Sequence, residues 1–385
     1  MLVASLSLTL AAVPAAVARR TSGTRSLLAW GLNTSGQLGN GSTTNSHLPV
    51  KVKLPKGTKV SKVAAGFDHS LAVTLTGSLL AWGLNTSGQL GDGSTTNSGL
   101  PVKVKLPRGT KMTAVAAGYY HSLAVTLTGS VLAWGDNAHG QLGNGSATGS
   151  RVPVKVKLPA GTKVSKVAAG YGHSLAVTST GTVLAWGDNA YGQLGDGGTT
   201  DSHRPVTVKL PAGTKVTAVA AGYGHSLAVT SAGSLLAWGL NTSGQLGNGS
   251  TTNSPVPVKV KLPAGTRVTA VAAGYGHSLV VTATGSLLAW GLNTSGQLGN
   301  GSTTDSHLPV KVKLPRGTKV SKVAAGNYHS LAVTLTGSLL AWGNNSYGEL
   351  GNGSTTGSHA PVKVKLPTGT KVSKVAAGHG HSLAL

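Results

Sequence analysis

Every tryptophan in the chain sits in the same three-residue string. Trp30, Trp82, Trp134, Trp186, Trp238, Trp290 and Trp342 are each the centre of Ala-Trp-Gly, and each lies 52 residues from the next. The same interval links His69, His121, His173, His225, His277, His329 and His381. It also links Gln89-Leu90-Gly91 to its counterparts, the last of which reads Glu349-Leu350-Gly351. No copy carries an insertion or a deletion. A fixed period of this length means a fold assembled from one repeated supersecondary unit.

Seven whole repeats occupy residues 22–385 and leave 1–21 outside the array. The chain ends in His381-Ser382-Leu383-Ala384-Leu385, which matches residues 69–73. The next part of that repeat stands at the other end of the chain, where Ser26-Leu27-Leu28-Ala29-Trp30 matches residues 78–82. An open solenoid carries atypical capping repeats, and none is visible. A repeat cut into two complementary halves suits a ring closed by its own termini. The expected organisation is therefore one domain over 22–385, although length alone suggests more than one. Aromatic residues are only 4% of the chain, so its core must be built from Ala, Val and Leu. There is no cysteine, which removes disulfides and thiolate chemistry.

Within one repeat, Val50-Lys51-Val52-Lys53-Leu54 alternates apolar and charged, the pattern of a half-exposed strand. Pro55-Lys56-Gly57-Thr58 is a turn. Residues 59–65 read as a second strand, with Val60 and Val63 inward, 69–73 as a third and 78–82 as a fourth. A long Gly/Asn/Ser/Thr loop follows, from Gly83 to about Leu100. Four short strands per repeat with no helical period describe a propeller blade. The predicted fold is all-β, a seven-bladed β-propeller with four antiparallel strands per repeat, the last blade shared by the two termini. Taking residues 59–65 as strand a, 69–73 as b, 78–82 as c and 50–54 as d, the a–b and c–d connections emerge on one face of the disc. The b–c and d–a connections emerge on the other.

Residues 1–18 are apolar apart from Ser5, Ser7 and Thr9, and Ala16-Val17-Ala18 followed by Arg19-Arg20 has the form of a secretory cleavage site. Residues 1–21 are thus read as a signal-peptide-like leader and the protein as secreted, with a cytoplasmic location as the alternative. No other segment could cross a membrane as a helix.

The string Ala64-Ala65-Gly66-Phe67-Asp68-His69-Ser70-Leu71-Ala72-Val73, then Gly77, Leu80-Ala81-Trp82-Gly83-Leu84-Asn85 and Gly88-Gln89-Leu90-Gly91, resembles the regulator of chromosome condensation repeat family in all seven copies. The resemblance implies a seven-bladed propeller. It also implies tasks that differ between members. One eukaryotic member exchanges guanine nucleotide on the small GTPase Ran and binds chromatin. A secreted bacterial member inhibits β-lactamases by binding them. The Ran exchanger carries a protruding wedge insertion and uneven repeats, which this chain lacks.

Variation between the repeats concentrates at few positions. The pair before the periodic histidine reads Phe67-Asp68, Tyr119-Tyr120, Tyr171-Gly172, Tyr223-Gly224, Tyr275-Gly276, Asn327-Tyr328 and His379-Gly380. At the start of the c–d loop, three copies depart from Leu-Asn-Thr-Ser, with Asp136 and His139, Asp188 and Tyr191, and Asn344 and Tyr347. All eight tyrosines and the single phenylalanine fall at these places. Interfaces favour Tyr, and loops on rigid scaffolds carry recognition. The candidate protein-binding set is therefore Phe67, Asp68, Tyr119, Tyr120, Asp136, His139, Tyr171, Asp188, Tyr191, Tyr223, Tyr275, Tyr328 and Tyr347. The competing reading is that these rings only fill space between blades.

The periodic Trp and His, used identically in every blade, read as parts of the packing unit. The histidines are expected to bond neighbouring backbone. Seven scattered imidazoles make no metal site, which needs convergent ligands. Net charge is +24, and the lysines read as a ring around the circumference, set by strand d and its turn: Lys51, Lys53, Lys56, Lys59 and Lys62 in one copy. Lys51, Lys53, Lys103, Lys105, Lys155 and Lys157 are the candidates for binding a polyanion. The alternative is edge protection of an outer strand. Eight loop acids scattered over seven blades serve glycoside hydrolysis poorly, and no P-loop or dinucleotide motif is present. Asn33-Thr34-Ser35 and its copies fit the glycosylation sequon. The chain is expected to be a non-enzymatic, monomeric protein-binding propeller without a cofactor. Polyanion or carbohydrate binding at a cell surface and nucleotide exchange on a small GTPase are the alternatives.

Overall fold

Each inner strand ends in Ala-Ala followed by glycine, which is small enough for seven such strands to converge on one axis. In the computed structural model, which describes residues 26–385, each blade is a four-stranded antiparallel sheet. The leader read over 1–21 lies outside the described residues. In blade 1 the strands are Val60–Ala65 (a), His69–Thr74 (b), Leu79–Gly83 (c) and Ser98–Lys103 (d). Blades 2 to 6 repeat this order, with inner strands Met112–Ala117, Val164–Ala169, Val216–Ala221, Val268–Ala273 and Val320–Ala325. Blade 7 takes strands a and b from Val375–Ala377 and His381–Ala384, and strands c and d from Leu28–Gly31 and Ser46–Lys51. The ring is thus closed by strands from both termini. Gly66, following strand a, must be glycine: an added Cβ would lie 2.4 Å from both the Gly118 carbonyl oxygen and the His69 ring.

Strands b and c are buried on both faces, so their apolar residues run without a polar side. Alternate side chains enter two different inter-blade cores. Leu71, Val73, Leu79 and Ala81 meet Ala124, Leu132 and Trp134 of blade 2. Ala72, Leu80 and Trp82 meet Leu383, Leu385 and Ala29 of blade 7. Each tryptophan is fully buried, and its indole N–H is satisfied across the blade boundary: Trp82 Nε1 donates to the Gln37 carbonyl at 2.8 Å. Replacing one by Ala would cost about 3–5 kcal/mol.

The periodic histidines join each blade to the next through a serine side chain, and not through backbone as expected. His69 Nε2 meets Ser122 Oγ at 2.9 Å, and the same pair recurs to His329–Ser382 at 3.0 Å and His381–Ser70 at 2.9 Å, which completes a circle. Ser70 Oγ spends its proton on the Gln37 carbonyl at 3.0 Å. The imidazole Nε2 must therefore be the donor, and Nδ1 the bare nitrogen. Burial pushes these histidines down to about 3, and His225 to about 4, so they are neutral.

Two further sequence expectations need correction. Strand d begins four residues earlier than the alternating segment 50–54: it runs Ser46–Lys51 and contains Pro49. An outer strand tolerates proline because it needs partners on one side only, and a register shift between Ala29 and Gly31 absorbs the irregularity. The alternation is still real, since Lys51 and Lys53 are exposed and Val52 is buried. Lys59 and Lys62 do not belong to the circumference. Lys62 lies in the innermost strand, where Nζ bonds the Thr113 carbonyl of blade 2.

Candidate aromatic binding face

The first variable position after Ala-Ala-Gly rims the central axis. Its backbone is stitched from blade to blade: Phe67 N donates to the Gly118 carbonyl at 3.1 Å, Tyr119 N to Gly170 at 3.2 Å and Tyr171 N to Gly222 at 3.2 Å. The side chains stack in the same order. Centroids are 4.1 Å apart for His379–Phe67, 3.8 Å for Phe67–Tyr119, 4.2 Å for Tyr119–Tyr171 and 4.6 Å for both Tyr171–Tyr223 and Tyr223–Tyr275. Tyr328 continues the run at 5.5 Å from Tyr275. This crown surrounds a cavity of about 180 Å³ lined by the Ala-Ala-Gly backbone of every blade. The rings are half-buried. Burial raises the tyrosine pKa at Tyr119, Tyr171, Tyr223 and Tyr328, aided at Tyr119 by the neighbouring Tyr120. The crown therefore both packs and remains open on one side.

The second variable position and the c–d loop are sterically one unit. Tyr191 lies over Gly224, where a Cβ would sit 2.8 Å from its Cδ2. Tyr347 lies over Gly380 at 3.2 Å, and His139 over Gly172 at 3.5 Å. Where the loop residue is serine instead, at Ser35, Ser87 and Ser295, the following blade carries Asp68, Tyr120 or Tyr328. One side or the other supplies the bulk. Only the boundary between blades 4 and 5, with Ser243 and Gly276, leaves both small. Tyr120 meets Tyr119 edge-on at 4.4 Å, and Tyr347 is the most exposed of these rings.

The acids of this face have specific neighbours. Asp68 Oδ1 accepts from Gln37 Nε2 at 3.0 Å, and Asp136 Oδ2 from Gln141 Nε2 at 2.8 Å. His139 Nδ1 pairs with Asp201 Oδ2 at 2.8 Å, and Asp188 stands beside them. These three side chains place one imidazole and two carboxylates within 4.8 Å of one another, a convergence that the periodic histidines gave no reason to expect. The donor set is of a kind that divalent cations use, but the imidazole is already engaged with Asp201. Burial opposes protonation of His139, yet the hydrogen bond to Asp201 and the charges of Asp188, Asp201 and Asp136 outweigh it and raise its pKa.

The structure brings the candidate binding residues onto one face, in two tiers. Phe67, Tyr119, Tyr171, Tyr223 and Tyr275 form the crown. Asp68, Tyr120, Asp136, His139, Asp188, Tyr191, Tyr328 and Tyr347 occupy the second position and the loops around it. Sequence reasoning left out His379, which sits in the crown and was readable from its column. It also left out Asp201, whose column holds Asn, Asp or Gly and gives no signal. Lys51, Lys53, Lys103, Lys105, Lys155 and Lys157 are exposed at, or two residues beyond, the ends of the outer strands.

The chain matches the RCC1-like domain over residues 14–274 and again over 158–385. It is 35% identical to the ultraviolet-B receptor UVR8 of Arabidopsis thaliana, over 86% of this chain and 76% of that protein. It is 34% identical to the human E3 ubiquitin-protein ligase HERC2 over 92% of this chain, which corresponds to only 7% of that much longer protein. Among solved structures, human WBSCR16 superposes with a TM-score of 0.85 at 28% identity, covering 94% of this chain and 99% of that one. Yeast RCC1 (Prp20), solved bound to Kap60, gives 0.84 at 26% identity, covering 94% and 88%. A second structure of Prp20p, from Saccharomyces cerevisiae, is described together with its binding to Gsp1p and histones and gives 0.82 at 26% identity, covering 94% and 91%.

Proposed function

This chain belongs to the RCC1-like domain family, and we propose that it is a recognition protein whose aromatic loop face binds a protein partner. One observation carries the reading. Repeats whose cores are copied almost unchanged differ on this face, where the tyrosines lie, while the tryptophan and histidine positions do not vary. Half-buried tyrosines on a rigid ring offer contact area at small entropic cost. The binding of Kap60, Gsp1p and histones by Prp20 supports a protein as the partner. A second reading, nucleotide exchange on a small GTPase, is favoured by the likeness to yeast RCC1 and weakened by repeats of uniform length. Export, with the partner met outside the cytoplasm, is supported by the apolar run 1–18.

The test replaces protruding rings by the residues other blades carry at the same places: Tyr120→Gly, Tyr191→Ser, Tyr328→Gly and Tyr347→Ser together. Affinity capture on the parent and the variant, at low and high salt, should show partners that survive high salt and are lost from the variant. Melting should shift by no more than a few degrees. Capture of the same proteins by both forms would sink the reading, and loss of all binding at high salt would favour the lysines.

A further inference from the structure

The face opposite the aromatic crown carries a second pattern of variation. It is formed by the b–c hairpins and the d–a turns, and all eight acids of the chain lie on the connections of the other side. Each strand a is preceded by a cation, from Lys59 through Lys111, Lys163, Lys215, Arg267 and Lys319 to Lys371. This face is therefore uniformly positive, in all seven blades.

Two of its tip positions are not uniform, and they change together. The b–c hairpin tip is Leu75, Leu127 and Leu335 in blades 1, 2 and 6, but Ser179, Ser231 and Ala283 in blades 3, 4 and 5. The turn tip that leads into strand a is Lys56, Arg108 and Arg316 in the same three blades, Ala160, Ala212 and Ala264 in blades 3, 4 and 5, and Thr368 in blade 7. The leucines are the most exposed large apolar residues among those described, at 67%, 70% and 66%. Each is held next to a cation: the amides of Leu75, Leu127 and Leu335 donate to the carbonyls of Lys59, Lys111 and Lys319 at 2.8–2.9 Å.

Blades 6, 7, 1 and 2 are consecutive around the ring, so these residues form one arc. At its centre, blade 7 has no b–c hairpin, because strands His381–Ala384 and Leu28–Gly31 come from the two ends of the chain.

We propose that this arc docks peripherally on an anionic lipid surface, with the three leucines entering the interface and the surrounding Lys and Arg meeting the headgroups. Exposed leucines gain nothing from water, and alternating them with cations matches a bilayer boundary, which is apolar beneath a negative layer. A nucleic acid would use the cations but offers the hairpin leucines no apolar partner. Among the described residues no helix is long and apolar enough to cross a membrane.

Full-length protein sedimented at physiological salt should bind vesicles of phosphatidylcholine mixed with phosphatidylglycerol, and not phosphatidylcholine alone. Leu75→Ser, Leu127→Ser and Leu335→Ser together should weaken that binding at least about tenfold. Lys56→Ala, Arg108→Ala and Arg316→Ala together should weaken it roughly a hundredfold, at about 1 kcal/mol per cation. Both sets use residues that other blades carry or closely match, so melting should stay near that of the parent. Failure to bind the anionic vesicles would overturn the proposal. So would a leucine variant that binds them as tightly as the parent, since the hairpin leucines would then add nothing. Tighter binding to duplex DNA than to the vesicles at equal salt would assign the face to nucleic acid instead.

Discussion

At the scale of single residues, the aromatic face is a set of paired choices. Tyr191 and Gly224 come from different blades and different columns of the repeat, yet each accounts for the other. Gly224 needs no unusual backbone, since its φ is not among the positive ones; it is small because Tyr191 and the Leu240 Cβ lie 2.8 Å and 3.3 Å from any added Cβ. Blades 2 and 6 solve the same contact the other way, with Tyr120 and Tyr328 opposite serines. Gly224→Tyr alone should overpack the boundary between blades 3 and 4 and cost about 1–3 kcal/mol. Adding Tyr191→Ser should recover most of that loss, a coupling of at least about 1 kcal/mol in a urea-unfolding double-mutant cycle. Additive effects would show that the two positions are independent.

At the scale of the element, strand b carries the ring's shared weakness. Its first residue is a histidine held neutral by burial, with a pKa depressed from 6.5 to about 3 in most blades. The unfolded chain therefore binds more protons than the folded one between those values. The stability from this ring is fully present above the unfolded pKa and is lost as pH falls below it. Seven such groups give a slope of roughly 9 kcal/mol per pH unit, set against a total stability of about 5–15 kcal/mol for a domain. Acid unfolding should begin well above the carboxylate range, between about pH 5 and 6, with His139 opposing weakly because its pKa is raised. A urea midpoint that stays constant from pH 7 to pH 5 would contradict this. Most of the strand layout was legible because the period aligns seven copies of each turn signal. Strand d was misplaced because Pro49 and the polar residues before it read as loop, although an outer strand tolerates them. The histidine's serine partner was hidden because it lies 53 residues away, one blade on. The same offset between blades hid the pairing of loop and glycine columns, so the sequence located the variable face but not the contacts that build it.

At the scale of the whole molecule, the ring has one joint that is not covalent. In blade 7, Leu28 pairs with Ala384, Ala29 with Leu383, Trp30 with Ser382 and Gly31 with His381. Deleting residues 26–30 removes that strand and the buried Trp30, whose Nε1 donates to the Glu349 carbonyl at 2.7 Å. It also takes from the outer strand Ser46–Lys51 its only partner. The deletion should lower the melting temperature sharply and leave two open blade edges prone to association. A circular permutant separates loss of the strand from loss of continuity. Joining Leu385 to Ser26 through a copy of Thr74-Leu75-Thr76-Gly77 restores the missing hairpin, and new termini between Ala232 and Gly233 open an equivalent one in blade 4. If closure depends on strand pairing rather than on which hairpin is cut, the permutant should melt within a few degrees of the parent, because every blade again has four strands and only one short loop-closure term has moved. A permutant as unstable as the deletion would instead mean that the blades are not interchangeable, and that blade 4 holds something the repeat does not show.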